Sequence, residues 1–225
     1  MEDNKKIVMP TGDIDKDFEE GVKLYYAGDN ENAKILVEAK AKTGDINALT
    51  VFFDIADDLG EIDGYLDKMR ALSDEGNTYA QYMLGYFYAF TTGSLQDDGL
   101  SFDYTELAAN NGNKEAMYTL GYKYSVGQGV RQDSCKAFYW YNKAAGLGNL
   151  QAMAEVGLCY YFGEGVAIDY DKAFSYLDKV RELDSEGLVL QNIADILASC
   201  YEDGKGTAVN TDMAGKLYAL SLNDD

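Results

Sequence analysis

Histidine is missing from all 225 residues. Without imidazole there is no Ser-His-Asp or Cys-His nucleophile system, no His-ligated zinc and no imidazole general base. The three cysteines, Cys135, Cys159 and Cys200, fall short of the four thiolates of an all-cysteine zinc site. Paired carboxylates are then the sole acid–base option. Neither a metal nor a cofactor is expected. Proline and tryptophan occur once each, and cations are scarce, with 19 Lys and Arg against 39 Asp and Glu. The formal net charge of −20 repels nucleic-acid phosphates and anionic membranes and attracts basic partners. Acidity of this kind also serves solubility. No run approaches the roughly 20 apolar residues of a membrane span, and the polar N-terminus does not read as a signal peptide. A cytoplasmic location is the expectation.

What the chain has instead is internal repetition. Gly121, Tyr124, Gly127, Gly129 and Lys136-Ala137-Phe138 recur as Gly157, Tyr160, Gly163, Gly165 and Lys172-Ala173-Phe174. Ala116, Leu120, Gly121, Tyr124 and Gly129 also fall, one period earlier, on Ala80, Leu84, Gly85, Tyr88 and Gly93. A fixed period of this size marks stacked repeats. Within a unit, Ala116, Leu120 and Tyr124 form one helical stripe, and Ala137, Tyr141 and Ala144 form a second, so each unit reads as a helix hairpin. Gly121, and with it Gly85 and Gly157, sits inside the first helix, where it costs about 1 kcal/mol relative to Ala. A close approach by the second helix is the reason such a glycine would be kept. Gly112-Asn113 and Gly148-Asn149 end one helix and start the next.

The pattern Ala-x3-Leu-Gly-x2-Tyr-x2-Gly-x-Gly-Val-x2-Asp-x2-Lys-Ala-x2-Trp-Tyr-x-Lys-Ala-Ala resembles the Sel-one-like repeat (SLR), a branch of the tetratricopeptide solenoids. Residues 116–145 carry it almost throughout, and 152–180 carry it well. Residues 80–109 depart from it at Thr91 and Ser94 but keep Asp97, and the last unit, 193–220, keeps Gly204, Gly206 and Ala214 with Ala198 in place of the helix glycine. Upstream, 18–43 and 47–74 are similar to shorter tetratricopeptide units, with turns at Gly28-Asp29 and Leu59-Gly60. The resemblance implies an all-α fold, a right-handed superhelical solenoid of about six helix-hairpin repeats, two short and four Sel-one-like. We expect a polar leader over 1–16 and a single repeat domain over 17–225, with units near 17–46, 47–79, 80–115, 116–151, 152–189 and 190–225. Gly157 aligns with Ala198 five residues out of step, so a helix or loop between Lys179 and Ile193 is lengthened. Secreted relatives are implied to staple the helices of a repeat with paired cysteines. That pairing is absent here, and Cys159 and Cys200, on helices roughly 8–10 Å apart, are too distant to bridge, so reduced thiols are expected.

Two apparent sites fail on inspection. Asp13-Ile14-Asp15-Lys16-Asp17 has the alternating acids of a calcium loop, but Phe18 and Leu24 stand where a Gly and a bidentate Glu are required. Gly127-Gln128-Gly129 and Gly163-Glu164-Gly165 follow helices and lack the third Gly or Lys-Ser/Thr of a phosphate cradle. Acids cluster at Asp54, Asp57, Asp58, Glu61, Asp63 and Asp67, at Asp97, Asp98 and Asp103, and at Asp178, Glu182, Asp184 and Glu186. A solvated face explains most of them, yet Asp54, Asp57, Asp58 and Glu61 form a rim that could meet a basic partner.

Tyr82, Tyr86, Tyr118 and Tyr122 lie off the packing stripe of their helices. The first helices of this class line the concave surface, so the resemblance implies a ladder of four tyrosines in a groove. Tyrosine supplies a large rigid anchor with a hydroxyl; the alternative is packing against the adjacent repeat. Phe90, Tyr161 and Phe162 read as core. The function expected is a non-enzymatic module that binds a basic protein or peptide, as adaptor, regulator or inhibitor. Other readings are an immunity protein that neutralises a basic toxin, and a structural array in which the apolar end at Leu217, Leu220 and Leu222 self-associates, so the chain is a monomer or weakly associating. A carboxylate hydrolase is the enzyme alternative, without a matching signature.

Overall fold

The computed structural model describes residues 7–42, 46–91, 96–185 and 187–221. Glu2, Asp3, Gly93, Ser94, Glu186 and Leu222 lie outside them. Among the described residues there are twelve helices and no strand: α1 (Ile14–Tyr26), α2 (Asn30–Ala41), α3 (Ile46–Asp58), α4 (Ile62–Asp74), α5 (Thr78–Phe90), α6 (Asp98–Asn110), α7 (Lys114–Val126), α8 (Ser134–Gly146), α9 (Leu150–Phe162), α10 (Tyr170–Leu183), α11 (Leu188–Asp203) and α12 (Thr211–Ser221). They pair in sequence as six hairpins, the α-solenoid construction expected from the repeat.

The chain divides into two compact units, 1–113 and 114–225. In the first, α1 pairs with α2 and α5 with α6, while α2 packs on α3 and α4 on α5, so each hairpin rests on the next. The second repeats the scheme with α7/α8, α9/α10 and α11/α12. The expected stripes are the core: Ala80, Leu84 and Tyr88, then Ala116, Leu120 and Tyr124, then Ala137, Tyr141 and Ala144 are all buried.

The helix glycines act as proposed. A Cβ on Gly85 would lie 2.6 Å from Thr105 Oγ1, and on Gly121 it would lie 2.6 Å from the Tyr141 ring. Each loop Asp caps the second helix of its hairpin, since Asp97, Asp133 and Asp169 accept from the amides of Leu100, Lys136 and Lys172. Their own amides donate to the carbonyls of Tyr88, Tyr124 and Tyr160, which closes the loop onto the first helix. These three acids are therefore structural.

Asp13 caps α1, and the nearly buried Asp17 carboxylate accepts from the Thr11 amide at 2.9 Å and its hydroxyl at 2.7 Å. Asp17 thereby ties down the residues just ahead of α1, and Val8 donates its amide to Asn32 Oδ1 at 2.8 Å.

The five-residue slip is distributed over three places. Relative to the preceding repeat, α10 gains one residue, its connection to α11 gains one, and α11, with 16 residues, gains three. Gly187 stands before α11 without a side chain to cap it, and Asp184 takes over the task, accepting from the amides of Gly187, Val189 and Leu190. At the far end Leu217 is buried and Leu220 half-buried against the protein's own hairpin. All three cysteines are free thiols, with Cys135 exposed and Cys159 and Cys200 buried.

Candidate functional site

A concavity in the first unit lies beside a departure from the repeat. Seven residues after their start, α1, α5, α7 and α9 carry Gly21, Gly85, Gly121 and Gly157, and α3 carries Phe53. A ring cannot occupy a contact built for a hydrogen atom. Among the described residues, α3 and α4 make the least extensive contact of the six hairpins. Phe52 and Phe53 meet Tyr65 of α4 ring to ring, at centroid distances of 4.9 and 5.9 Å. On its other side Phe53 stacks on Tyr86 at 6.3 Å and meets Phe87 edge-on at 5.2 Å.

Beside these rings is a pocket of about 140 Å³ between α3 and α5. Phe53, Tyr86, Phe87 and Phe90 form its aromatic wall, Ile62 and Thr50 flank it, and Asp54 and Asp57 stand at its mouth. Tyr86 and Phe90 are 4.4 Å apart at 33°, and Tyr86 Oη shares a 2.6 Å hydrogen bond with Thr50 Oγ1. Burial, and then the charges of Asp58 and Asp57, push the Asp54 carboxyl above the usual carboxylate range.

The four rim acids separate into two kinds. Glu61 is in an ion pair with Lys34, and Asp58 accepts from Asn30 Nδ2 at 3.2 Å and from the Tyr25 hydroxyl. Asp54 and Asp57 have no cationic partner among the described residues, although both are exposed. Three residues apart on α3, they present their charges on one face.

The tyrosine ladder does not survive as four exposed rungs. Tyr82 is 3% exposed and Tyr86 is 6% exposed, because α5 is apolar around most of its circumference and neighbouring helices cover it on several sides. Tyr118 is half-buried, packed 5.8 Å from the Tyr141 ring, while Tyr122 is 48% exposed. Conversely, Phe90 and Phe162, expected in the core, are 62% and 54% exposed at the last residue of their helices. Their hydrophobicity suggested burial. The signal that placed them outside was positional: Phe90, Val126 and Phe162 recur at one period and all three are exposed.

No group of carboxylates and thiols among the described residues is arranged to hold a metal ion. No helix among them is long and apolar enough to cross a membrane.

The geometry agrees with what the chain is similar to. A profile of the Sel1 repeat matches residues 78–113, 114–149, 150–185 and 196–223, more than half of the sequence. The break before 196 is where the register slips. A Sel1 repeat protein from Oxalobacter formigenes superposes with a TM-score of 0.65 at 24% identity, over 92% of this chain and 85% of that one. A protective antigen of uropathogenic Escherichia coli strains, displaying an SLR fold, superposes with a TM-score of 0.61 at 29% identity. That alignment covers 69% of this chain, which spans only 32% of the antigen's length. No curated protein matches the sequence. Four matched repeats folded as stacked helix hairpins place the chain in the Sel1 repeat family, whose members are generally protein–protein interaction modules.

Proposed function

We propose that this protein is a non-enzymatic binding module for a basic protein or peptide, and that its first unit makes the contact. The observation that carries this reading is the pocket between α3 and α5, an aromatic wall with Asp54 and Asp57 at its mouth and no cation paired with them among the described residues. An apolar floor supplies affinity, and the two carboxylates select the sign of the partner's charge. The net charge of −20 acts earlier, by steering basic molecules toward the surface.

The test is a set of fluorescein-labelled peptides of matched length and hydropathy but basic, neutral or acidic charge, titrated with the full chain and read by anisotropy. Only the basic peptides are expected to bind, with affinity falling as sodium chloride rises from about 0.05 to about 0.5 M, where the Debye length shrinks below 5 Å. Equal binding of the neutral peptide, or an affinity indifferent to salt, removes the charge-selective reading.

A further inference from the structure

The pocket's size and chemistry narrow what it receives. At about 140 Å³ it is well below the roughly 300–1,000 Å³ of sites that enclose a small molecule, so it fits one side chain of a larger partner. That side chain has to satisfy two surfaces at once. Its body meets the Phe90 ring, which is exposed and packed on the buried Tyr86, and its end meets the carboxylates of Asp54 and Asp57 on successive turns of α3. An aliphatic or aromatic residue would satisfy the rings and leave the acids without a counterion. A lysine would place a compact, strongly hydrated charge against an apolar wall. Guanidinium differs on both counts, because it is planar, stacks on ring faces, is weakly hydrated, and forks its N–H donors toward carboxylate oxygens.

We infer that the α3/α5 pocket is a socket for an arginine side chain of the partner, with the guanidinium on the exposed Phe90 ring, which Tyr86 backs from beneath, and its N–H groups donated to Asp54 and Asp57. Asp58 and Glu61 take no part, since Asn30, Tyr25 and Lys34 already engage them. Phe90, 62% exposed at the edge of the pocket, is the ring that arginine covers. This inference rests on the basic-partner reading and sharpens it to one residue type.

The experiment uses the full chain with ¹³C-labelled aromatic rings, titrated with three capped tripeptides that carry arginine, lysine or citrulline between two glycines. Ring signals are assigned from the Phe90→Ala and Tyr86→Phe variants. With the arginine peptide the Tyr86 and Phe90 signals are expected to move and saturate. The lysine peptide is expected to bind about tenfold more weakly, and the uncharged citrulline peptide to leave them in place. The Asp54→Asn/Asp57→Asn double variant is expected to lose the response, while Glu19→Gln/Glu31→Gln, which removes equal charge from exposed sites in the same unit, keeps it. Citrulline acting as well as arginine, or an unchanged response in the Asp54→Asn/Asp57→Asn variant, overturns the socket. If arginine and lysine peptides bind equally and move other signals, the socket falls and the basic-partner reading stands. If no basic peptide binds, both fall.

Discussion

At the scale of single residues, two glycines on helices of the same unit make opposite predictions. A methyl group on Gly85 meets the Thr105 hydroxyl at 2.6 Å, the Thr105 amide nitrogen at 3.0 Å and the Ser101 carbonyl at 3.3 Å, and backbone cannot move aside as a side chain can. Overpacking of this kind costs about 1–3 kcal/mol, only partly offset by the roughly 1 kcal/mol of helix propensity gained. Gly64, in α4, has nothing within 4 Å of the added atom, so Gly64→Ala is expected to stabilise by about 0.5–1 kcal/mol. Thermal melts of the two variants should shift in opposite directions, and a shared direction would mean that helix contact is not what keeps Gly85. The thiols divide in the same residue-by-residue way. Burial pushes Cys159 up to about 12 and Cys200 up to about 11, so a maleimide at neutral pH is expected to label only the exposed Cys135 until the protein is unfolded. Rapid native labelling at more than one site would contradict the packing of α9 and α11.

Asp54 carries a pH prediction whose sign follows from its environment. Its carboxyl takes up a proton at a higher pH than an ordinary aspartate because burial and two neighbouring carboxylates disfavour its charge. Binding of a basic peptide that uses this charge is present above the raised pKa and lost as pH falls through it. The loss should begin at higher pH than in an Asp54→Asn variant, which lacks the group with the raised pKa. Superimposable pH profiles for the two proteins would show that Asp54 is not in the contact.

At the scale of elements, the irregular entry to α11 shows how the repeat absorbs an insertion. Asp184 lies three residues before Gly187, yet its carboxylate reaches the amides of Gly187, Val189 and Leu190 at 3.2, 2.7 and 2.7 Å. It does for α11 what Asn149 does for α9 through the amide of Ala152. Asp184→Ala should cost about 1–2 kcal/mol, the range for losing a helix cap, and should speed hydrogen exchange at those three amides ahead of the rest of α11. Unchanged exchange there would assign the start of α11 to packing alone. Phe53 makes the complementary point. One ring stands in place of the repeat's glycine, meets Tyr65 of α4 on one side and Tyr86 and Phe87 of α5 on the other, and forms part of the wall of the candidate site.

At the scale of the whole molecule, charge is the dominant property. With 39 acidic and 19 basic residues, encounter with a basic partner should be fast at low salt, and the association rate should fall steeply as ionic strength rises while dissociation changes much less. Stopped-flow or surface-binding kinetics over a salt series measure this directly. A salt effect confined to dissociation would place the acids in close pairs at the interface and end the claim of long-range steering.

The amino-acid sequence by itself determined the hairpin repeat. Gly85, Gly121 and Gly157, the loop aspartates and the apolar stripes recur with one period because each hairpin must solve the same packing problem against its own partner helix. Local spacing was therefore enough to read the fold, the caps and the place of the register slip. Which aromatic rings face solvent was decided by the tertiary structure. Tyr82 and Tyr86 are covered and Phe90 is not, since exposure depends on the helices α3, α4 and α6 packed on α5, and no spacing within α5 records them. The same holds for the acids. Asp54 and Asp58 are alike in sequence, and only the fold brings Asn30 and Tyr25 to Asp58 while leaving Asp54 at the mouth of a pocket.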